Sequence, residues 1–387
     1  MNAWLLPEQM SDVLPSEAFT VESLRRRLLD DAVAHGYELV IPPLLEHVDS
    51  LLSGTGQDLD LQTFKLVDPL SGRTLGLRAD MTPQAARVDA HLLNRKGITR
   101  LCYCGSVVHT HAQGVNATRE ALQFGVELYG YAGLEADIEV QRLAVQGLRL
   151  GGVRQMTLAL SDARLVRGIL AGMVAGPEHI GLILEALARK DVPRLQQLTR
   201  GVQADQREAI LLLPDLFGDV SILAQARAVL PKRPLIERAL DDLERLALLH
   251  VGSDVQVQVD LADLRGYHYH TGVIFALFAA SEPDALVRGG RYDEIGATFG
   301  RPRPATGFTL DLRALARRHP RPEPRAAILA RWSNAAGYAG AVQDLRANGE
   351  CVIEQPADAV LESVTFQCDR ELVCEGGQWA VRPYHAG

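Results

Sequence analysis

The chain holds only five cysteines in 387 residues, an odd number that builds no disulfide framework and reads as reduced core residues. It has no run near the ~18 consecutive apolar residues of a membrane span. No basic segment with an apolar stretch follows Met1, so the expected compartment is the cytoplasm and no membrane partner is expected. It also lacks an excess of positive charge: the formal net charge is −8. Neutralising phosphates needs a concentrated basic surface, and this balance argues against tRNA as a partner. What is present is a 47% hydrophobic composition, enough to bury a large core in two or three domains.

The most informative stretch is 98–130, with a second loop at 263–275. Ile98 to Val108 and Ala121 to Tyr129 are apolar, β-branched and aromatic runs, joined by a polar loop containing Gly114 and Asn116, which predicts an antiparallel pair. Period two puts Gln123, Gly125, Glu127 and Tyr129 on one face, and Leu122, Phe124, Val126 and Leu128 on the other. One face is apolar; the other carries chemistry.

Upstream, Val21, Leu24, Leu28 and Ala32 recur at helical spacing between Ser16 and Gly36, predicting a helix over about 16–35. Tyr37 to Pro43 reads as a strand stopped by two prolines. Phe64–Asp68 and Arg73–Arg78 flank a Pro69–Gly72 turn as a hairpin. Thr82 then caps a helix opened by Pro83, which places Asp80 and Thr82 at a strand-to-helix corner. Downstream, Leu134–Leu150 is helical by spacing, Met156–Leu160 is strand-like, and about 176–250 should be a small helical insertion with interleaved charges. Val255–Leu261 alternates as a half-buried strand leading into Arg265-Gly-Tyr-His268-Tyr269-His270, for which packed cross-strand pairs are the alternative reading. Gly289-Gly290-Arg291-Tyr292 reads as a glycine-rich turn, and Ala305–Arg313 as a strand entering a helix. His319–Pro324 is a proline-stiffened linker before an α/β tail.

These residues, in this order, resemble class II aminoacyl-tRNA synthetases, in the histidyl-tRNA synthetase branch. Residues 37–43 with the preceding helix resemble the dimer-forming motif 1, residues 98–130 motif 2, and residues 305–315 motif 3. The resemblance implies an α+β fold, a mostly antiparallel sheet flanked by helices over 1–318, then a linker at 319–325 and a small α/β domain over 326–387. It implies that Asp80 and Thr82 hold the α-amino group of histidine, with Gln123 adding an amide contact nearby. By the same resemblance, Arg265 takes the carboxylate, and Glu127 with Tyr269 or Tyr292 takes the imidazole. His268 and His270 depart from the family's aspartate and tyrosine. So do the ATP-gripping positions: the first arginine is replaced at His109, its companion glutamate at His111, and the second arginine at Ala314. Imidazole offers one donor per nitrogen and is largely neutral at pH 7, whereas arginine grips phosphate through two parallel bonds.

A retained amino-acid pocket, a degraded ATP site and a tail too short and too weakly basic for an anticodon-binding domain resemble the ATP phosphoribosyltransferase regulatory subunit family. That resemblance implies a non-catalytic subunit, without cofactor, that joins a short-form catalytic subunit in a hetero-octamer, forms a self-dimer, and relays feedback by histidine in the first step of histidine biosynthesis. A divergent histidyl-tRNA synthetase and a free-standing histidine-binding regulator are the alternatives. No acidic, glycine-rich loop of the phosphoribosyl pyrophosphate type is present. Cys102, Cys104, His109 and His111 have zinc-compatible side chains. On one extended strand they span about 30 Å and the two pairs face opposite sides, so no metal site is expected.

Overall fold

The computed structural model describes residues 4–52, 57–112, 118–250, 253–267, 269–280, 282–319, 323–360 and 362–384. Gly114, Asn116, His268 and the middle of the 319–325 linker lie outside the described residues. The chain separates into two compact units, Met1–Ser11 with Ser23–His319 and Asp12–Glu22 with Pro320–Gly387. Among the described residues no helix is long and apolar enough to cross a membrane.

In the first unit, strand β1 (Glu38–Leu39) is shorter than the sequence suggests. It pairs in parallel with residues 101 and 102, and Val40 adds one bond to Cys102, but Pro42 and Pro43 have no N–H to continue the ladder. Strands β2 (Leu45–His47), β3 (Lys65–Val67) and β4 (Thr74–Leu77) form a small antiparallel sheet, order β2-β4-β3. The long pair is β5 (Thr99–Val108) and β6 (Glu120–Tyr129), ten residues each and antiparallel throughout. Strands β7 (Met156–Asp162), β8 (Phe217–Gly218), β9 (Val255–Asp260), β10 (Val273–Ala279), β11 (Val287–Arg291) and β12 (Ala305–Asp311) complete a nine-stranded sheet, order β1-β5-β6-β12-β11-β10-β7-β9-β8. Only β1-β5 and β7-β9 pair in parallel.

Helices cover this sheet because their buried residues recur every three or four positions. Leu24, Leu28 and Ala32 of helix Pro15–Ala34 are buried, as are Val140, Leu143, Ala144 and Leu148 of helix Leu134–Leu150. Residues 177–248 carry five α-helices, a short 3-10 turn at Leu213–Asp215 and the two-residue β8. Arg78 fixes the segment ahead of the 80–82 corner: its guanidinium, buried, donates to the carbonyls of Pro42 and Ser106, each at 2.8 Å.

In the second unit, β13 (Arg325–Arg331), helix Tyr338–Ala347, β14 (Val352–Gln355), β15 (Phe366–Glu375) and β16 (Gln378–Pro383) form a four-stranded sheet, order β14-β13-β15-β16, with one helix. Ile328, Ala330, Val342 and Leu372 make its core, and Tyr338 meets Trp379 edge to face at 5.2 Å.

Candidate functional site

Two adjoining cavities lie in the first unit, on the face of the sheet that period two assigns to Gln123 and Glu127. One, of about 220 Å³, is lined by Asp80, Thr82, Glu127, Tyr269, His270, Tyr292 and the backbone around Gly289, Gly290 and Gly307. The other, of about 270 Å³, is lined by His109, Gln123, Asp311 and Ala314 among others. Asp80, Arg288 and Thr309 line both.

The floor of the smaller cavity follows from register. Gly307 of β12 stands opposite Glu127 of β6, and Gly290 of β11 stands opposite Gly307. The glycine pair at 289–290 is therefore inside a central strand and not a turn. A Cβ at Gly289 would come 2.5 Å from the Gly307 carbonyl oxygen and 2.6 Å from the Phe275 ring, so the strand accepts no side chain there. At Gly307 a Cβ would overlap Glu127 Oε2 and approach the Tyr292 hydroxyl to 2.7 Å.

A hydrogen-bond chain holds the walls. Thr82 Oγ1 and the Tyr103 hydroxyl share a bond at 3.0 Å, and the Tyr103 hydroxyl donates to Glu127 Oε1 at 2.8 Å. Thr82 is the first residue of helix Thr82–Arg87 and does not act as its cap. Asp80 takes that task, accepting the Thr82 N–H at 3.0 Å, which leaves the threonine hydroxyl facing Tyr103. Gln123 uses both ends of its amide: Nε2 donates to Asp80 Oδ1 at 2.9 Å, and Oε1 accepts the Met81 N–H at 2.8 Å. It positions Asp80 from the neighbouring cavity.

Glu127 is 1% exposed, and its second oxygen has no partner. Burial, with the nearby Asp80 charge, raises its pKa well above the usual carboxyl range; the bonds from Tyr103 and Thr82 offset only part of this. The buried hydroxyls of Tyr269 and Tyr292 are also without partners, and their rings stack at 5.0 Å. An acid oxygen and two phenol groups thus stand desolvated and unpaired around one small space, which costs stability unless a polar ligand meets them. His270 packs edge to face on Tyr269 at 5.5 Å, and burial pushes its pKa down to about 4, so the ring is neutral. Arg265–Tyr267 form a turn, and the N–H groups of Tyr269 and His270 both donate to the Gly266 carbonyl, so these described residues are not in the strand considered from the sequence.

Arg265 lines neither cavity. It stands two residues after Asp263 in a tight turn, and its Nε donates to that carboxylate at 2.8 Å. His109 and Ala314 do line the larger cavity, where His109 Nε2 meets the Ala79 carbonyl at 2.9 Å, while His111 is exposed on Thr110. Arg313 gives no substitute cation, because its buried guanidinium is bound to the carbonyls of Glu120 and Ser11 at 3.2 and 3.0 Å. Among the described residues no cluster of three or more His, Cys, Asp or Glu is placed to hold a metal ion.

Two residues that shape the site are absent from the set expected from the sequence: Tyr103, bonded to Thr82 and Glu127, and Arg288, in both cavity walls. Tyr103 faces Gly125 across the β5-β6 ladder, and a large residue opposite a glycine was the available signal. Arg288 shares the face of Gly290 on β11 by period two, four residues before Tyr292.

Residues 9–315 match the family model described as Histidyl-tRNA synthetase, and residues 325–382 match that of the ATP phosphoribosyltransferase subunit HisZ C-terminal domain. The ATP phosphoribosyltransferase regulatory subunit of Ralstonia nicotianae is 55% identical over 100% of both chains, and that of Cupriavidus metallidurans 51% identical over 99% of both. This chain belongs to the ATP phosphoribosyltransferase regulatory subunit family. A crystal structure of an ATP phosphoribosyltransferase regulatory subunit/histidyl-tRNA synthetase from Bacillus halodurans C is 26% identical, with a TM-score of 0.81 over 95% of this chain and 98% of that one. Histidyl-tRNA synthetase from Nostoc sp. PCC 7120 shares the fold at 16% identity, with a TM-score of 0.75 over 99% of this chain and 97% of that one. The smaller cavity is lined by the polar side chains of Asp80, Thr82, Glu127, Tyr269 and Tyr292, while the larger has neither arginine nor lysine at 109 and 314.

Proposed function

We propose that the chain is the non-catalytic subunit that a short-form ATP phosphoribosyltransferase requires for the first step of histidine biosynthesis, and that it binds histidine as the feedback signal, in the cytoplasm. The observation that carries this reading is the unpaired set of Glu127 Oε2 and the Tyr269 and Tyr292 hydroxyls around a cavity of about 220 Å³. An imidazole with two polar nitrogens matches that set. Asp80, one wall away, matches an α-ammonium. A site whose buried polar groups go unpaired with any other side chain rejects analogues strongly. The isolated chain should show no histidine-dependent pyrophosphate exchange, since two missing phosphate donors are each worth roughly 10²–10³ in rate. Exchange above background would support the divergent synthetase instead. Co-purification with a phosphoribosyltransferase that is inactive alone tests the assembly.

Binding should depend on pH in a bell shape. Burial raises the Glu127 pKa and so favours the protonated acid in the empty pocket, and free imidazole loses its proton above about 6.5. Neutral imidazole beside the acid and imidazolium beside the carboxylate carry the same single proton. Below about pH 6.5 free histidine arrives with one proton too many, so affinity should fall about tenfold per unit. As pH rises through the raised Glu127 pKa, the shared proton is lost and affinity falls again. Calorimetry across about pH 5 to 9 checks this, and a flat profile would contradict it.

The self-dimer has a candidate surface in the first unit. Ile41 is 81% exposed, and Leu39 of edge strand β1 and Leu44 and Leu45 further along the chain are exposed too. An apolar sheet edge of this kind suits a two-fold contact. Ile41→Asp should move the chain from dimer to monomer in light scattering at micromolar concentration. A wild type that is monomeric, alone and with its partner, would count against the dimer.

A further inference from the structure

We propose that Arg288 is the specificity residue that reads the free α-carboxylate of the bound amino acid, at the junction of the two cavities. This deepens the histidine-binding reading and rests on it. Arg288 is the only arginine or lysine among the described residues lining either cavity. No hydrogen bond or ion pair joins its guanidinium to another described residue. The carboxylate it would otherwise use is taken: Asp263 holds Arg265 through two oxygens, at 2.8 and 3.1 Å. Asp284 faces Arg288 at longer range, and Arg265 sets a like charge against it. Of the three acids that line the cavities, Asp80 is engaged with the Thr82 N–H and Gln123, Asp311 with the Arg313 N–H at 2.9 Å, and Glu127 through Oε1 with the Tyr103 hydroxyl.

Register places this cation relative to the other groups. Arg288 stands opposite Thr309 on β12, and Thr309 opposite Gly125 on β6, one step along the same face from the Gly290, Gly307 and Glu127 row. A histidine whose ring enters toward Glu127 and whose ammonium meets Asp80 leaves its carboxylate at the shared wall, where the larger cavity opens. Gly125, Gly290 and Gly307 on that face put no side chain between. A planar guanidinium gives a carboxylate two parallel charge-assisted bonds, whereas an ester offers it one neutral carbonyl acceptor. The cavity beyond has room for a substituent on that carbonyl, so shape alone would not reject the ester. Charge pairing is what rejects it.

The test is calorimetry of the full chain with L-histidine and L-histidine methyl ester. Wild type should prefer histidine by roughly 10- to 100-fold, the size of a bidentate charge-assisted contact. Arg288→Ala should remove that preference by weakening histidine alone, with ester binding unchanged and serving as the check that the variant is folded. Arg288→Lys should restore part of the preference, as a point charge without the fork. Arg265→Ala should keep it. A preference intact in Arg288→Ala, lost in Arg265→Ala, or absent from wild type overturns the assignment alone. Wild type that binds neither ligand overturns the histidine reading with it.

Discussion

Glu127→Ala is expected to weaken histidine binding by the isolated chain by two to three orders of magnitude while leaving the fold at least as stable. The variant removes the one charged partner of the imidazole, roughly 1.5–3 kcal/mol, and leaves a ring nitrogen desolvated in the cavity, roughly 1–3 kcal/mol more. The fold is spared because the empty site already strains against this side chain: it is 1% exposed, has a bare Oε2 and holds its proton well above the usual range. Removing an acid in that state relieves a desolvation cost. Calorimetry measures the first effect and thermal melting the second. A variant that binds normally would move the imidazole site elsewhere; one that unfolds would make Glu127 a structural residue.

Gly307→Ala is expected to close the same cavity from its floor. Its methyl group would overlap Glu127 Oε2, lie 2.5 Å from the Val126 carbonyl oxygen and 2.7 Å from the Tyr292 hydroxyl. The side-chain atoms are buried and the carbonyl belongs to the central β6-β12 ladder, so neither can move freely. Overpacking of this kind costs about 1–3 kcal/mol. The melting temperature should fall by a few degrees, and histidine binding should drop below detection even where the protein is fully folded. A stable variant with normal affinity would show that the ligand does not rest on this floor.

Much of this arrangement was legible in the chain. Period two in 121–129 puts Gln123 and Glu127 on one face, and the threonine and proline at 82 and 83 put Asp80 at a strand-to-helix corner. Both inferences need only local geometry. What escaped depended on which partner each group takes once the chain is folded. The proline signal suggested Thr82 as cap, but a carboxylate two residues earlier competes for the same N–H and leaves the hydroxyl to Tyr103. Arg265 looked free for a ligand until the turn folded it onto Asp263. The glycine pair at 289–290 looked like a turn because sequence does not reveal that Phe275 and the Gly307 carbonyl press on that strand. Gln123 was read as a ligand contact, and only the tertiary pairing of both amide ends shows it holding Asp80 in place.

The most direct measurement of a histidine sensor in this chain uses the complex reconstituted with a short-form phosphoribosyltransferase. Histidine inhibition curves are recorded beside calorimetry for the wild-type and Glu127→Ala complexes. Feedback needs only that histidine prefer one state of the assembly, with a coupling of ~1–3 kcal/mol. Wild type should bind histidine and be inhibited over the same concentration range, while the Glu127→Ala complex turns over without histidine and loses binding and inhibition together. A Glu127→Ala complex with normal histidine sensitivity would contradict this and place the sensor on the catalytic partner.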